Sequence, residues 1–187
     1  DKQIGQNKLK IKIKSIVDGI IKAFNVLIED EAAIPNEDFC YHMVFQGPPG
    51  TGKTTFAEII GKMFVALGLF QTEKEMKRCQ GSDFLKDQNK VDEIFQSALG
   101  GVLFIDEAYV LDPAQSPGSK EAAKSAVDSM LTYLEDYRTE LIVIFAGYEK
   151  EMQDFLTSGS NQGLKSRIPT EHVLTFESYN HEQLYQI

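Results

Sequence analysis

Residues that staple, ligate or anchor a chain are scarce in this sequence. Only two cysteines occur, Cys40 and Cys79, far apart and without metal-ligand spacing. That pattern argues against a disulfide framework or a structural zinc site and for a reducing intracellular setting, the cytoplasm. Both read as small buried hydrophobes. The three histidines, His42, His172 and His181, are scattered without a shared motif; His42 and His172 flank or begin strand-like runs, so structural roles are expected of them. No apolar run approaches the roughly 20 residues that cross a bilayer, and no signal peptide opens the sequence, so a soluble protein with no membrane partner is expected. Basic side chains are outnumbered, 19 against 28 acidic, for a net charge of −9. Phosphate-rich partners normally leave a basic footprint, so nucleic acid is not expected as the main partner. There is no internal repeat. The acidic stretch "EDEAAIPNED" reads as a solvated loop, and "DPAQSPGS" as a flexible connection.

What is present is ample core material: 42% of the 187 residues are hydrophobic, enough for one domain. Apolar residues at Leu9, Ile13, Ile16, Ile20, Phe24 and Leu27 have helical spacing and predict a lysine-faced helix over 7–29. "YHMVFQG" predicts a strand, 53–67 a helix ended by Gly68, 76–80 a weaker strand, and 90–99 a further helix. "VLFID" and "ELIVIFAG" are apolar enough to be strands buried on both faces, with "SKEAAKSAVDSMLTYLEDY" a helix between them. A short helix, a last strand "HVLTF" and a helix starting at Asn180 complete the order. Strands alternating with helices predict an α/β fold, a mainly parallel sheet covered on both faces. The sequence begins without Met and stops inside a periodic pattern, so 1–187 is expected to be a fragment of a longer protein.

The strongest chemical signal is "GPPGTGKT", residues 47–54. Gly47, Gly50 and Gly52 can turn successive amides toward one anion, and the helix that follows aims its N-terminus at the same place. Lys53 is then expected to reach the β- and γ-phosphates of a nucleotide, and the Thr54 hydroxyl to ligate Mg²⁺. The second signal is "GGVLFIDEAY", an apolar strand that ends on two adjacent acids. Asp106 falls at the carboxyl end of a parallel sheet, where ligands bind, and can hold the metal's hydration shell. Glu107 can orient or deprotonate a water attacking the γ-phosphate. Water-activating acids, with no acceptor-site candidate, disfavour a small-molecule kinase.

Together "GPPGTGKT", "GGVLFIDEAY", "LIVIFAGYEKEM" and "LKSRI" resemble the AAA+ ATPases, specifically the group containing the red-type rubisco activase CbbX and stage V sporulation protein K. The resemblance implies a P-loop NTPase three-layer αβα sandwich. Its five-stranded mainly parallel sheet has a strand between the two motif-bearing strands, and the usual helical lid is absent here. It assigns Lys53 and Thr54 to Walker A, and Asp106 and Glu107 to Walker B. The nucleotide-contacting set becomes Ile4 and Gly5 near the adenine, then Pro48, Pro49, Gly50, Thr51, Gly52, Lys53, Thr54 and Thr55, with Asp106 and Tyr148. Thr54 and Asp106 are the metal positions, and ATP and Mg²⁺ the cofactors. Tyr148 closes a sensor region with Ala146 and Gly147. Arg167 matches an arginine that reaches the neighbouring subunit's γ-phosphate, which makes Glu107, Lys53 and Arg167 the catalytic residues; where the group often carries a second arginine this chain has Lys165. A homo-oligomeric ring is implied, a hexamer in the full-length protein, acting on an unidentified protein substrate. Relatives follow the equivalent of Asp83 and Phe84 with a glycine-flanked aromatic loop that grips polypeptide. This chain runs straight through "KDQNK", and Phe84 beside Leu85 reads as core. Two functions stay open: an ATPase motor that remodels a protein partner, and a nucleotide-dependent assembly or scaffold module with little threading.

Overall fold

The computed structural model describes residues 9–19, 40–68, 70, 74–87 and 89–179. Ile4 and Gly5, residues 20–29 of the expected first helix, the acidic stretch at 29–38, His181 and the helix expected from Asn180 lie outside the described residues. Five strands, β1 (Met43–Gln46), β2 (Lys77–Gln80), β3 (Val102–Asp106), β4 (Ile142–Gly147) and β5 (Val173–Thr175), form one sheet in the order β2-β3-β4-β1-β5. Every pairing is parallel. The helices are α1 (residues 9–19), α2 (Lys53–Ala66), α3 (Lys90–Ala98), α4 (Lys120–Asp136), α5 (Glu149–Thr157) and α6 (Gln162–Arg167). The expected five-stranded αβα architecture is therefore present, with β4 inserted between β1 and β3.

Why these segments pair this way follows from their composition. β1, β3 and β4 are continuous apolar runs with side chains buried on both faces, as a strand between two helical layers requires. On one face Leu103, Ile105, Val143 and Phe145 pack with Phe95, Met130 and Phe155 of α3, α4 and α5. On the other, Phe45, Phe104 and Ile144 pack with Phe56, Ile60 and Phe64 of α2 and Leu9 of α1. Each such side chain contributes about 1.5–3 kcal/mol by leaving water. β2 lies at an edge and exposes Lys77 and Arg78, a charged rim that discourages pairing with a further strand.

Two sequence expectations need correction or sharpening. The "DPAQSPGS" loop is not a flexible connection. Asp112 is only 2% exposed, and its Oδ1 accepts bonds from the Ala114 amide at 3.0 Å and the Ser158 hydroxyl at 3.1 Å. Ser116 Oγ donates to the Val110 carbonyl at 2.6 Å, so short polar side chains fold the loop back on its own backbone. The single short helix expected before the last strand is two, α5 and α6. Phe84 is core, as expected: it is 1% exposed and its ring lies 6.3 Å from that of Phe95. The cysteines are free and half-buried; burial raises both thiols, Cys79 to about 12, which leaves them unreactive.

His42 fastens the layers just before β1. The Val143 amide donates to its Nδ1 at 3.1 Å, so the proton sits on Nε2 and is donated to the Leu134 carbonyl at 3.0 Å. His172 Nδ1 in turn donates to the His42 carbonyl at 3.1 Å. Burial pushes His42 down to about 4, so the folded protein holds it neutral. The unfolded chain binds that proton below about pH 6.5. The stability tied to neutral His42 is hence complete above about pH 6.5 and drains away as pH falls toward 4. In urea unfolding, the wild-type chain is expected to lose stability over this window with an extra slope approaching about 1.4 kcal/mol per pH unit relative to His42→Gln. Parallel pH profiles for the two proteins would refute it.

Candidate functional site

The loop after β1 is built around glycine. Gly47 has φ of +143°, and a Cβ there would sit 2.3 Å from the Phe176 carbonyl oxygen. Gly50 and Gly52 have φ of +73° and +90° with open space around them, so there it is the backbone angle that demands glycine. The loop is pinned from within: Thr51 is buried and donates its hydroxyl to the Pro48 carbonyl at 2.8 Å. The Tyr179 hydroxyl donates to the Thr51 carbonyl at 3.2 Å. Gly52 caps α2 without a side-chain bond, and the first turn holds no acid. The amides of that turn, at the positive end of a 14-residue helix, are therefore available to an anion.

Lys53 turns back over this loop, and its Nζ donates to the Gly47 and Pro48 carbonyls at 2.8 Å each. Burial lowers its proton affinity, while Asp106 and Glu107 opposite partly restore it. Those acids arrive by strand pairing, because β3 runs parallel to β4 and β4 to β1, which carries the end of β3 to the same sheet edge as the loop. Asp106 Oδ1 accepts the Glu107 amide at 3.0 Å. Glu107 has φ of +51°, the one non-glycine residue with positive φ among the described residues. Such a conformation costs roughly 1–2 kcal/mol and persists where the surroundings hold it. Burial, then the Asp106 charge, raises the Glu107 carboxyl; Lys53 opposes this and Glu151 adds to it.

These groups share a cavity of about 380 Å³. Of the expected site residues, Pro49, Gly50, Gly52, Lys53, Thr54, Thr55, Asp106, Glu107 and Tyr148 line it. Pro48 and Thr51 are not on its wall; their part is the internal bond that shapes the loop. Tyr148 caps α5 at 41% exposure, its ring 6.2 Å from that of Tyr109. Arg167 lies elsewhere. It ends α6, upstream of β5, so parallel pairing with β1 puts it toward the strand starts, away from the loop. There its Nε sits 3.1 Å from a Glu135 carboxylate oxygen and its Nη1 donates to the Gly163 carbonyl at 3.1 Å. Gly147 was read as part of the sensor region, but that it lines the cavity was not foreseen. Gly81, against the main chain of Glu107, and Glu151, in its electrostatic surroundings, also went unread.

The residues present fit a polyphosphate with a divalent cation. The free amides and Lys53 suit phosphate oxygens, and the Thr54 hydroxyl beside them, with Asp106 from the end of β3, offers hard oxygen ligands. No group of three His, Cys, Asp or Glu able to hold a metal occurs among the described residues, so the donors here suit a cation that keeps water and phosphate oxygens as its other ligands. A larger groove, about 910 Å³, lies between α2 and β2. It is an open mixture of charges, with Arg78 paired to Glu58, and lacks convergent chemistry.

Comparison with known proteins gives the family. The ATPase family associated with various cellular activities (AAA) matches residues 43–158. The ESX-3 secretion system protein EccA3 of Mycolicibacterium smegmatis is 35% identical over 189 residues, covering 98% of this chain and 29% of that protein. Stage V sporulation protein K of Bacillus subtilis is 39% identical over 150 residues, 78% of this chain and 44% of that one. The chain thus spans less than half the length of these curated relatives. Among solved structures, RuvB, the Holliday junction branch migration motor of Thermotoga maritima, matches with a TM-score of 0.56 at 25% identity, over 97% of this chain and 48% of RuvB. The chain belongs to the AAA family of ATPases, in the group with stage V sporulation protein K and the EccA proteins.

Proposed function

We propose that this chain binds ATP with Mg²⁺ and hydrolyses it, as the nucleotide-binding part of a longer protein that assembles into a ring and remodels a protein partner. The observation that carries the proposal is one cavity in which Lys53 and the free end of α2 face Asp106 and Glu107. The loop amides and Lys53 hold the phosphates, Lys53 exchanging the Gly47 and Pro48 carbonyls for phosphate oxygens. Thr54 and Asp106 hold Mg²⁺, which neutralises charge on the phosphates. Glu107 takes the proton of the attacking water. Its raised proton affinity makes it a better acceptor than an exposed carboxylate, and the rate should climb with pH as this group ionises. Tyr148 sits at the mouth, placed to contact the nucleotide. Ile4 and Gly5 belong to the adenine end in this reading.

Arg167 supports the ring. It lies toward the strand starts, away from its own loop, and in this reading one copy's strand-start edge meets the next copy's loop. Such head-to-tail contacts close into rings, here read as a hexamer, and would deliver Arg167 to developing charge in trans. It must first leave Glu135. A cytoplasmic setting fits the unreactive free thiols. A second reading, nucleotide-driven assembly with little threading, is favoured by one observation: Phe84, the aromatic nearest the expected substrate-gripping loop, is committed to the core.

Lys53→Ala is expected to weaken ATP affinity by about 100-fold or more in a direct titration, through loss of the only lysine on the cavity wall among the described residues; near-normal affinity would sink the reading. In the whole protein, Glu107→Gln is expected to keep ATP binding while hydrolysis falls by about 10²- to 10⁴-fold. Arg167→Ala should likewise bind ATP, and its hydrolysis rate per subunit should no longer rise with protein concentration. Wild-type assembly on ATP with negligible turnover would favour the scaffold reading instead.

A further inference from the structure

We propose that Gly81 is a positioning residue for hydrolysis: lacking a side chain, it lets the turn after β2 close on the main chain of Glu107 and fixes the aim of that carboxylate. The inference rests on Glu107 acting as the water-directing base.

Register brings the two together. Gln80, the last residue of β2, pairs with Asp106, the last of β3, so Gly81 follows beside Glu107. A Cβ on Gly81 would lie 2.7 Å from the Glu107 carbonyl oxygen, 3.2 Å from Ala108 Cα and 2.8 Å from Val110 Cγ2. The first two are main-chain atoms with no rotamer to escape into. Gly81 is not among the positive-φ glycines, so its glycine is needed for room and not for a backbone angle.

The turn cannot easily yield either. Gly81–Leu85 is a short 3₁₀ turn whose Asp83 carboxylate accepts the Gln80 amide at 2.9 Å and the Lys86 ammonium at 2.7 Å. Phe84 anchors it in the core. Glu107 is the softer partner. It occupies the left-handed region, held by Asp106 Oδ1 on its amide and by the Val110 amide on its carbonyl at 3.2 Å. A methyl group at 81 presses on that carbonyl, turns the 107–108 peptide and swings the Glu107 side chain. Neither the loop after β1 nor Lys53 is touched, so phosphate binding is spared.

Measured on the whole protein, Gly81→Ala is expected to lower kcat for ATP by about 10- to 100-fold, the scale of a 1 Å misplacement at a reacting centre. KM, and the affinity for a non-hydrolysable ATP analogue, should change less than about 2-fold, because uniform binding is intact. In single-turnover assays, Gly81→Ala should cost nothing further on a Glu107→Gln background, since both act through one carboxylate. Val110→Ala, which clears one of the three contacts, should restore part of the lost rate. A merely structural role would lower analogue affinity along with kcat, and would still cost rate in the Glu107→Gln protein. Wild-type kcat in Gly81→Ala, or additive losses, would overturn the proposal while leaving the ATPase reading intact. Undiminished hydrolysis in Glu107→Gln alone would instead overturn that reading. If Gly81→Ala does not fold, Gly81→Ala/Val110→Ala carries the same measurements.

Discussion

Parallel strand pairing is the constraint on which the rest of this molecule depends. In a parallel sheet every strand ends at the same edge, so whatever chemistry the chain places after a strand converges there. β1 ends in the glycine loop, β3 in Asp106 and β4 in Gly147, and the order β3-β4-β1 sets the loop and the acids one strand apart. That spacing leaves a cavity between them instead of a direct ion pair. The same rule sends Arg167, which precedes β5, away from that edge. The cavity and Arg167 are therefore separated within one copy, and the proposal that this arginine acts across a subunit contact rests on that separation.

The electrostatics of the cavity follow from that separation. Lys53 faces two carboxylates through space and settles on its own loop carbonyls, while Glu107 lies beside Asp106 in partial burial. Burial pushes both groups toward their neutral forms, Lys53 downward against the pull of the two acids and Glu107 upward with the Asp106 charge adding to it. Each shift marks a charge held partly out of water. An anion with its own cation would supply both counterparts at once, satisfying the lysine and the free helix end on one wall and the acids on the other.

How legible this was depended on whether a feature is local. β1, β3 and β4 could be read because a strand buried on both faces is a continuous apolar run, and α2 because Gly52 and Gly68 bracket it. The glycine loop and the two acids could be read because their spacing is the chemistry. The split between α5 and α6 could not: between them lies Asn161, a buried side chain whose Nδ2 donates back to the Phe155 carbonyl at 3.0 Å. Nor could the ordered loop at Asp112, whose carboxylate finds its partner 46 residues away in Ser158. Gly81 was hidden for the same reason, since nothing within "CQGSDF" announces that the register of β2 on β3 will bring Glu107 against it.

The buried Phe84 bears on what the energy of hydrolysis could act upon. An aromatic that grips a polypeptide has to be exposed and able to move, whereas Phe84 is nearly fully buried against Phe95 and holds the turn that leans on Glu107. Freeing it would uncover a large apolar surface, at a cost of about 1.5–3 kcal/mol, and would also loosen the support behind the end of β3. In this chain the turn after β2 is thus better suited to bracing the site than to handling a substrate. If the proposed ATPase acts on a partner, the turn after β2 is therefore not the part that grips it.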